Sequence, residues 1–419
     1  MGIAICGFLG LIVLSTFITG VLADERVLPR IEQLESYLRF RPDSARLQAK
    51  LAEAQLSDAD RDLKSVEARA KLACELSPFD CRNKLLLAGV EEALGDRQAA
   101  ETSLESARSL APNNAEVQWR QANLLVRNEK LVEAEDVFRT ACASDLGLVP
   151  VTLEVLWRAT DGSAATVESV TPSDPESQLN LAGFLLLQSR GADAGRIFAN
   201  IPRAESLKLA NTPVFINSMI KAGEWELARS LWANLIGVDH SRLPMLWNGS
   251  FEEPPHKNLN QFDWQLESSE YARVRIDSTC AHTGSKALKF EFLGRDTTKL
   301  DREISQQVVL RSGTRYRLEC YVKTDQFEAP EGPQIVVADL SDKQSIAVSA
   351  PIATGTYEWR QLTLDFTPPM NNGAYVALTV SLKRKPRFSY DEPTRGIIHL
   401  DDFSITLLEP GSASLELKR

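Results

Sequence analysis

Over the first part of the chain, apolar residues recur at three- and four-residue spacings, the stripe of an amphipathic helix, and the sequence reads as a succession of helix pairs up to about residue 240. The period then changes. From Leu246 onward short runs alternate apolar and polar residues, as half-buried strands do. Strands are expected at 262–266, 272–276, 287–292, 304–310, 316–323, 334–339, 359–366, 375–382 and 397–408. Thr283-Gly284-Ser285, Arg311-Ser312-Gly313-Thr314, Gly332-Pro333 and Pro368-Pro369 punctuate them. Many short strands broken in this way predict a sandwich or jelly roll.

The helical part repeats itself. Pro78 and Pro112 stand 34 residues apart. Between them, Leu87-Ala88 puts a bulky and then a small residue on a first helix, and Gly95 falls in a turn. Ala100, Leu104 and Ala107 lie on a second helix. The next unit repeats the spacing with Ala122, Leu125, Ala134, Phe138 and Ala141, and an earlier one, with Leu51-Ala52 and Ala73, lies between Pro42 and Pro78. Residues 147–175 interrupt the pattern and are expected to connect, with a short helix near 153–158. Repetition resumes at Leu181-Ala182, Leu185, Ala194 and Phe198, which match Phe215-Ile216, Met219, Ala228 and Trp232 one period later. Small residues at helix crossings let backbones approach, and no pair buries its apolar stripe alone, so several must stack. This set resembles the tetratricopeptide repeat, degenerate in its later units. The resemblance implies a groove that binds partner proteins; the alternative is a spacer that presents the β part. Trp119, Trp157, Trp225 and Trp232 fall within helical periods and read as core.

Charge and the amino terminus narrow the setting. The net charge of −10 lacks the basic face that nucleic-acid binding needs. Ile3 to Ala23 is an uncharged, mostly apolar run, with Val21 and Ala23 fitting a signal-peptidase site. It is also as long as one spanning helix of roughly 20 residues. Export is expected, to the periplasm, the exterior or a membrane anchor, with membrane contact only through this segment. No Cys-x-x-Cys occurs. An oxidising compartment would permit a Cys280–Cys320 bridge, and two separately buried thiols are the alternative. The expected organisation is a leader at 1–23, repeats at 25–146, a connector at 147–175, degenerate repeats at 176–243, a β-sandwich at 244–410 and a tail at 411–419. The fold class is therefore an all-α helical solenoid followed by an all-β jelly-roll sandwich.

Within the β part, Asn248-Gly249-Ser250-Phe251-Glu252, His282-Thr283-Gly284-Ser285-Lys286-Ala287-Leu288, the strand Tyr316 to Lys323, Trp359 and Leu400-Asp401-Asp402-Phe403 follow one another in order. Together they resemble a galactose-binding-like jelly roll of the carbohydrate-binding-module type, families 4, 9 and 22, over residues 246–408. The resemblance implies a structural calcium where the first and last strands meet. Glu252 and Asp401 match its carboxylates, with backbone carbonyls near Asn248 and Lys286 helping; simple ion pairs are the alternative. It also implies a ligand face. Alternation turns Tyr316, Leu318, Cys320 and Val322 to the core and Arg317, Glu319, Tyr321 and Lys323 outward. An aromatic ring beside hydrogen-bonding groups suits a sugar, and Gln306 and Tyr375 are expected to extend that face; an ordinary solvated face is the alternative. Where xylan-binding members carry a stacking tryptophan, after Leu293-Gly294-Arg295, this chain has Asp296-Thr297-Thr298. Trp264 matches a structural position and reads as core. The basic run Lys383 to Arg387, with Phe388 and Tyr390, reads as a charged loop tip.

No catalytic pattern emerges. The four histidines, at 240, 256, 282 and 399, have no metal-ligand spacing, and neither a phosphate-cradling glycine loop nor a Gly-x-Ser-x-Gly elbow occurs. Adjacent acids such as Asp401-Asp402 point to opposite sides of a strand and cannot flank a glycosidic bond. The reading is a non-catalytic envelope or extracellular protein, its repeats on partner proteins and its jelly roll on a polysaccharide, in surface polysaccharide assembly or export. The alternative is a protein-interaction scaffold that binds no glycan.

Overall fold

The computed structural model describes residues 31–58, 62–370, 373–388 and 390–408. The leader (1–23) and the tail (411–419) lie outside the described residues. By its contacts the chain divides into two compact units, through Leu181 and from Ala182.

The first unit is a run of paired helices: α1 (Ile31–Phe40), α2 (Ala45–Leu56), α3 (Leu63–Leu76), α4 (Cys81–Leu94), α5 (Arg97–Leu110), α6 (Ala115–Arg127), α7 (Leu131–Ser144), α8 (Val149–Ala159) and α9 (Ala164–Val170). Side-chain caps start several of them. Asp80, Asp96 and Asn114 each accept a first-turn backbone N–H of the helix that comes next. Gly95 ends α4 in the left-handed conformation, φ 82°. The periodic small residues are the buried ones: Ala73, Ala88, Ala100, Ala107, Ala122, Ala134 and Ala141 are all 6% exposed or less. The expected connector differs. Residues 149–170 form two helices, α8 and α9, and both pack on α7, because Leu153, Leu156, Val167 and Val170 supply the apolar stripe of a further pair.

The helix α10 (Pro175–Leu187) crosses the boundary between the units. The second unit holds α11 (Gly191–Ala199), α12 (Arg203–Ser206), α13 (Thr212–Lys221) and α14 (Trp225–Ile236) together with ten strands. These are β1 (Gln265–Leu266), β2 (Ala272–Asp277), β3 (Ala287–Leu293), β4 (Ile304–Arg311), β5 (Tyr316–Glu328), β6 (Gln334–Asp339), β7 (Ser345–Val348), β8 (Gly355–Phe366), β9 (Tyr375–Lys383) and β10 (Arg395–Leu407). They form two five-stranded antiparallel sheets, in the orders β1-β4-β9-β6-β7 and β2-β3-β10-β5-β8. This is the expected helical part followed by a β-sandwich. Strand β5 alternates as predicted, with Tyr316, Leu318, Cys320 and Val322 in the core.

Secondary structure changes near Pro244, but packing does not. Helix α14 lies against β4 and β9. Its Trp232 is fully buried, donates from Nε1 to Leu259 O at 2.8 Å and meets Trp247 and Phe262 edge-on. The Arg229 guanidinium donates to Pro244 O. A helix apolar on more than one side, with Leu231, Trp232, Ala233 and Leu235 all buried, needs such a second cover.

Candidate ligand-binding face

With α14 on β4 and β9, the sheet carrying Arg317, Glu319 and Tyr321 presents its outer side elsewhere. The residues expected to line one face are divided between the sheets. Arg317, Glu319 and Tyr321 project together from β5. Gln306 does not join them. It belongs to β4 of the other sheet, is 1% exposed, and closes a two-way bond with the Trp247 backbone: Trp247 N donates to its Oε1 at 3.0 Å and its Nε2 donates to Trp247 O at 2.9 Å. Tyr375 begins β9 of that same sheet and lines a surface cavity of about 510 Å³ with Trp225, Glu226 and His240. The physical reason is that successive strands of this fold pass between the two sheets. Alternation tells inside from outside on one strand, but not which sheet the strand enters.

Two residues not expected at the site complete the face. His282 lies parallel on the Tyr321 ring, centroids 3.7 Å apart, and Trp359 of β8 meets His282 edge-on at 5.6 Å. All three are half-buried. Beside them on β8, Gln361 pairs with Tyr321 and Thr363 with Glu319, both exposed. Among the described residues, the side chains of Glu319, Tyr321, Gln361 and Thr363 and the indole N–H of Trp359 have no hydrogen-bond partner in the protein and are not sealed from solvent. The charges that flank them are used. Arg317 donates to Asp365 through Nε at 2.6 Å and Nη2 at 3.1 Å, and these bonds hold the Asp365 carboxyl below its usual range. Lys323 donates to Glu358 at 2.7 Å. What stays open is a set of rings with neutral donors and acceptors and one carboxylate.

His282 is placed by the turn that carries it. Its Nδ1 donates to Asp402 Oδ2 at 2.7 Å, and Thr283 Oγ1 donates to Asp402 Oδ1 at 2.7 Å. Asp401, fully buried, accepts the backbone N–H of His282 at 2.8 Å and of Thr283 at 3.3 Å on Oδ2, and that of Asp402 at 2.7 Å on Oδ1. Burial still pushes its carboxyl up to about 6. On the other side of the turn, Glu252 Oε1 accepts Ser285 N at 2.6 Å and Lys286 N at 2.9 Å, while Ser285 Oγ donates to Oε2 at 2.7 Å. Glu252 and Asp401 therefore grip one turn from its two sides. The first and last segments of the sandwich meet beside it, where Phe403 N donates to Gly249 O at 2.9 Å.

These bonds decide whether calcium fits the same residues. Calcium takes about six to eight oxygen ligands at about 2.3–2.6 Å. Here both oxygens of each carboxylate already accept N–H or O–H donors. Among the described residues no group of three or more His, Cys, Asp or Glu is placed to hold a metal ion. This donor set does not fit calcium. Cys280 and Cys320 are both free; Cys320 is sealed in the core and Cys280 is half-buried.

Compared with known proteins, the chain matches no family model and no curated protein. Among solved structures it is similar to a family 4 carbohydrate-binding module, at 16% identity and a TM-score of 0.28, over 39% of this chain and 99% of the other. A family 61 module solved with β-1,4-galactotriose matches at 20% identity and a TM-score of 0.26, over 39% of this chain and 99% of that one. MamA matches at 10% identity and a TM-score of 0.26, over 46% of this chain and 90% of its own.

Proposed function

We propose that the sandwich binds a polysaccharide across the outer face of β5 and β8, and that the protein is a non-catalytic, exported component of surface polysaccharide assembly or export. In this reading the paired helices, taken as tetratricopeptide-like repeats, engage partner proteins. The observation that carries the reading is the aromatic group of Tyr321, His282 and Trp359 beside unpaired hydrogen-bonding side chains. Aromatic faces pack against the C–H faces of a sugar, while Glu319, Gln361, Thr363 and the Trp359 indole N–H supply partners for its hydroxyls.

The test is retention of the full chain on a panel of immobilised neutral and acidic polysaccharides, with Trp359→Ala and Tyr321→Ala beside it. Loss of one ring contact, about 1 kcal/mol, weakens binding to a retained glycan by about fivefold. Retention of no glycan by the wild-type chain overturns the reading, as does equal retention of both variants.

A further inference from the structure

We propose that the two ends of the sandwich are joined by a metal-independent clamp, in which the Lys286 ammonium and the backbone amides of residues 282–286 act in place of a divalent cation. Four amides of this turn divide evenly: those of His282 and Thr283 point at Asp401, and those of Ser285 and Lys286 point at Glu252. Gly284 lies between the pairs with φ +64°, the left-handed conformation that lets the two sets face opposite ways. A Cβ on Gly284 would stand 2.3 Å from Glu252 Oε1, so any side chain there displaces the carboxylate from the turn.

Lys286 completes the clamp. Its Nζ donates to the backbone carbonyl of Glu252, an oxygen of the type that hard cations take. Its ammonium thus brings positive charge to the segment that also carries the Glu252 carboxylate. Hydrogen bonds from N–H donors to a charged carboxylate are individually strong, so the amides of the turn can hold both acids. A cation brought to this place would meet amide hydrogens. The same turn carries His282 onto Tyr321, so the clamp also sets the geometry of the open face, although the clamp itself does not depend on sugar binding.

The experiment measures amide hydrogen exchange of residues 280–290 in the full chain, dialysed against calcium or against a chelator, together with the calcium content of each sample. Equal protection in both and no stoichiometric calcium are expected. Lys286→Met is expected to speed exchange of the Ser285 and Lys286 amides by about tenfold, with calcium failing to restore it. Bound calcium at one per chain, or faster exchange of the wild-type turn in chelator, overturns the proposal. A Lys286→Met chain as protected as wild type also overturns it, by removing the ammonium from the clamp.

Discussion

Gly249→Ala tests how closely the first and last segments of the sandwich must approach. A Cβ at this position would stand 1.8 Å from the Phe403 carbonyl oxygen, whereas ordinary contact begins at 3.4 Å. The backbone of Gly249 is not in the left-handed region, so the cost is steric. Two backbones must part by about 1.6 Å, which opens the 2.9 Å bond from Phe403 N to Gly249 O. That bond contributes about 1 kcal/mol, and overpacking at such a contact costs about 1–3 kcal/mol. The displacement also loosens Phe403 from Trp264 and Phe251, whose ring centroids lie 5.1 and 6.0 Å away. Each such aromatic contact is worth about 0.5–1.5 kcal/mol. The sum, about 3–7 kcal/mol, lowers the melting temperature of a unit this size by about 6–28 °C. The assay is thermal unfolding followed by near-ultraviolet circular dichroism, which reports the packing of Trp264. A variant that melts with the wild-type chain and keeps its aromatic signal would refute the reasoning.

Other outcomes rest on single features. Gly183→Ala, within α10 and with nothing inside 4 Å of the new Cβ, should stabilise by about 0.5–1 kcal/mol in the same melt. Asp391→Asn removes the charge facing Arg384, a pair 4% and 1% exposed and 2.7 Å apart, and should cost about 3–5 kcal/mol in a denaturant titration. The Arg384 guanidinium would stay buried against Glu331 O and Thr298 O, so a near-neutral result would disprove a structural role for the ion pair. Burial pushes the Cys74, Cys142, Cys280 and Cys320 thiols up, but Cys280, like Cys81, is only half-buried, so among the described cysteines alkylation of the native chain should spare Cys74, Cys142 and Cys320 and reach Cys81 first and Cys280 more slowly; mass spectrometry of labelled peptides decides it.

Much of the fold could be read from the sequence because it rests on local periods. The 34-residue spacing that joins Ala73, Ala107 and Ala141 picks out residues that are each fully buried. The alternation along 316–323 separates core from surface on β5 without error. The common face of Arg317, Glu319 and Tyr321 was legible because a single strand carries all three. Gln306 and Tyr375 were misplaced because sheet membership depends on pairing between distant segments, such as β4 with β9. His282 and Trp359 were visible as motif residues, but their meeting at Tyr321 depends on Asp401 and Asp402, about 120 residues further on, holding the turn. The clamp was half legible. The resemblance implied that Glu252 and Asp401 come to one place, whereas the direction of the amides between them is a matter of backbone conformation that residue types do not encode.

The burial of Trp232 beneath residues 247–262 bears on how the β part can be handled alone. A fragment begun at Pro244 would uncover the edges of Trp247 and Phe262 and strip β4 and β9 of their helical neighbour, leaving a greasy flank prone to self-association. Soluble expression of the sandwich therefore calls for keeping the preceding helices from Pro175 onward, with α10 whole, as a single piece of protein.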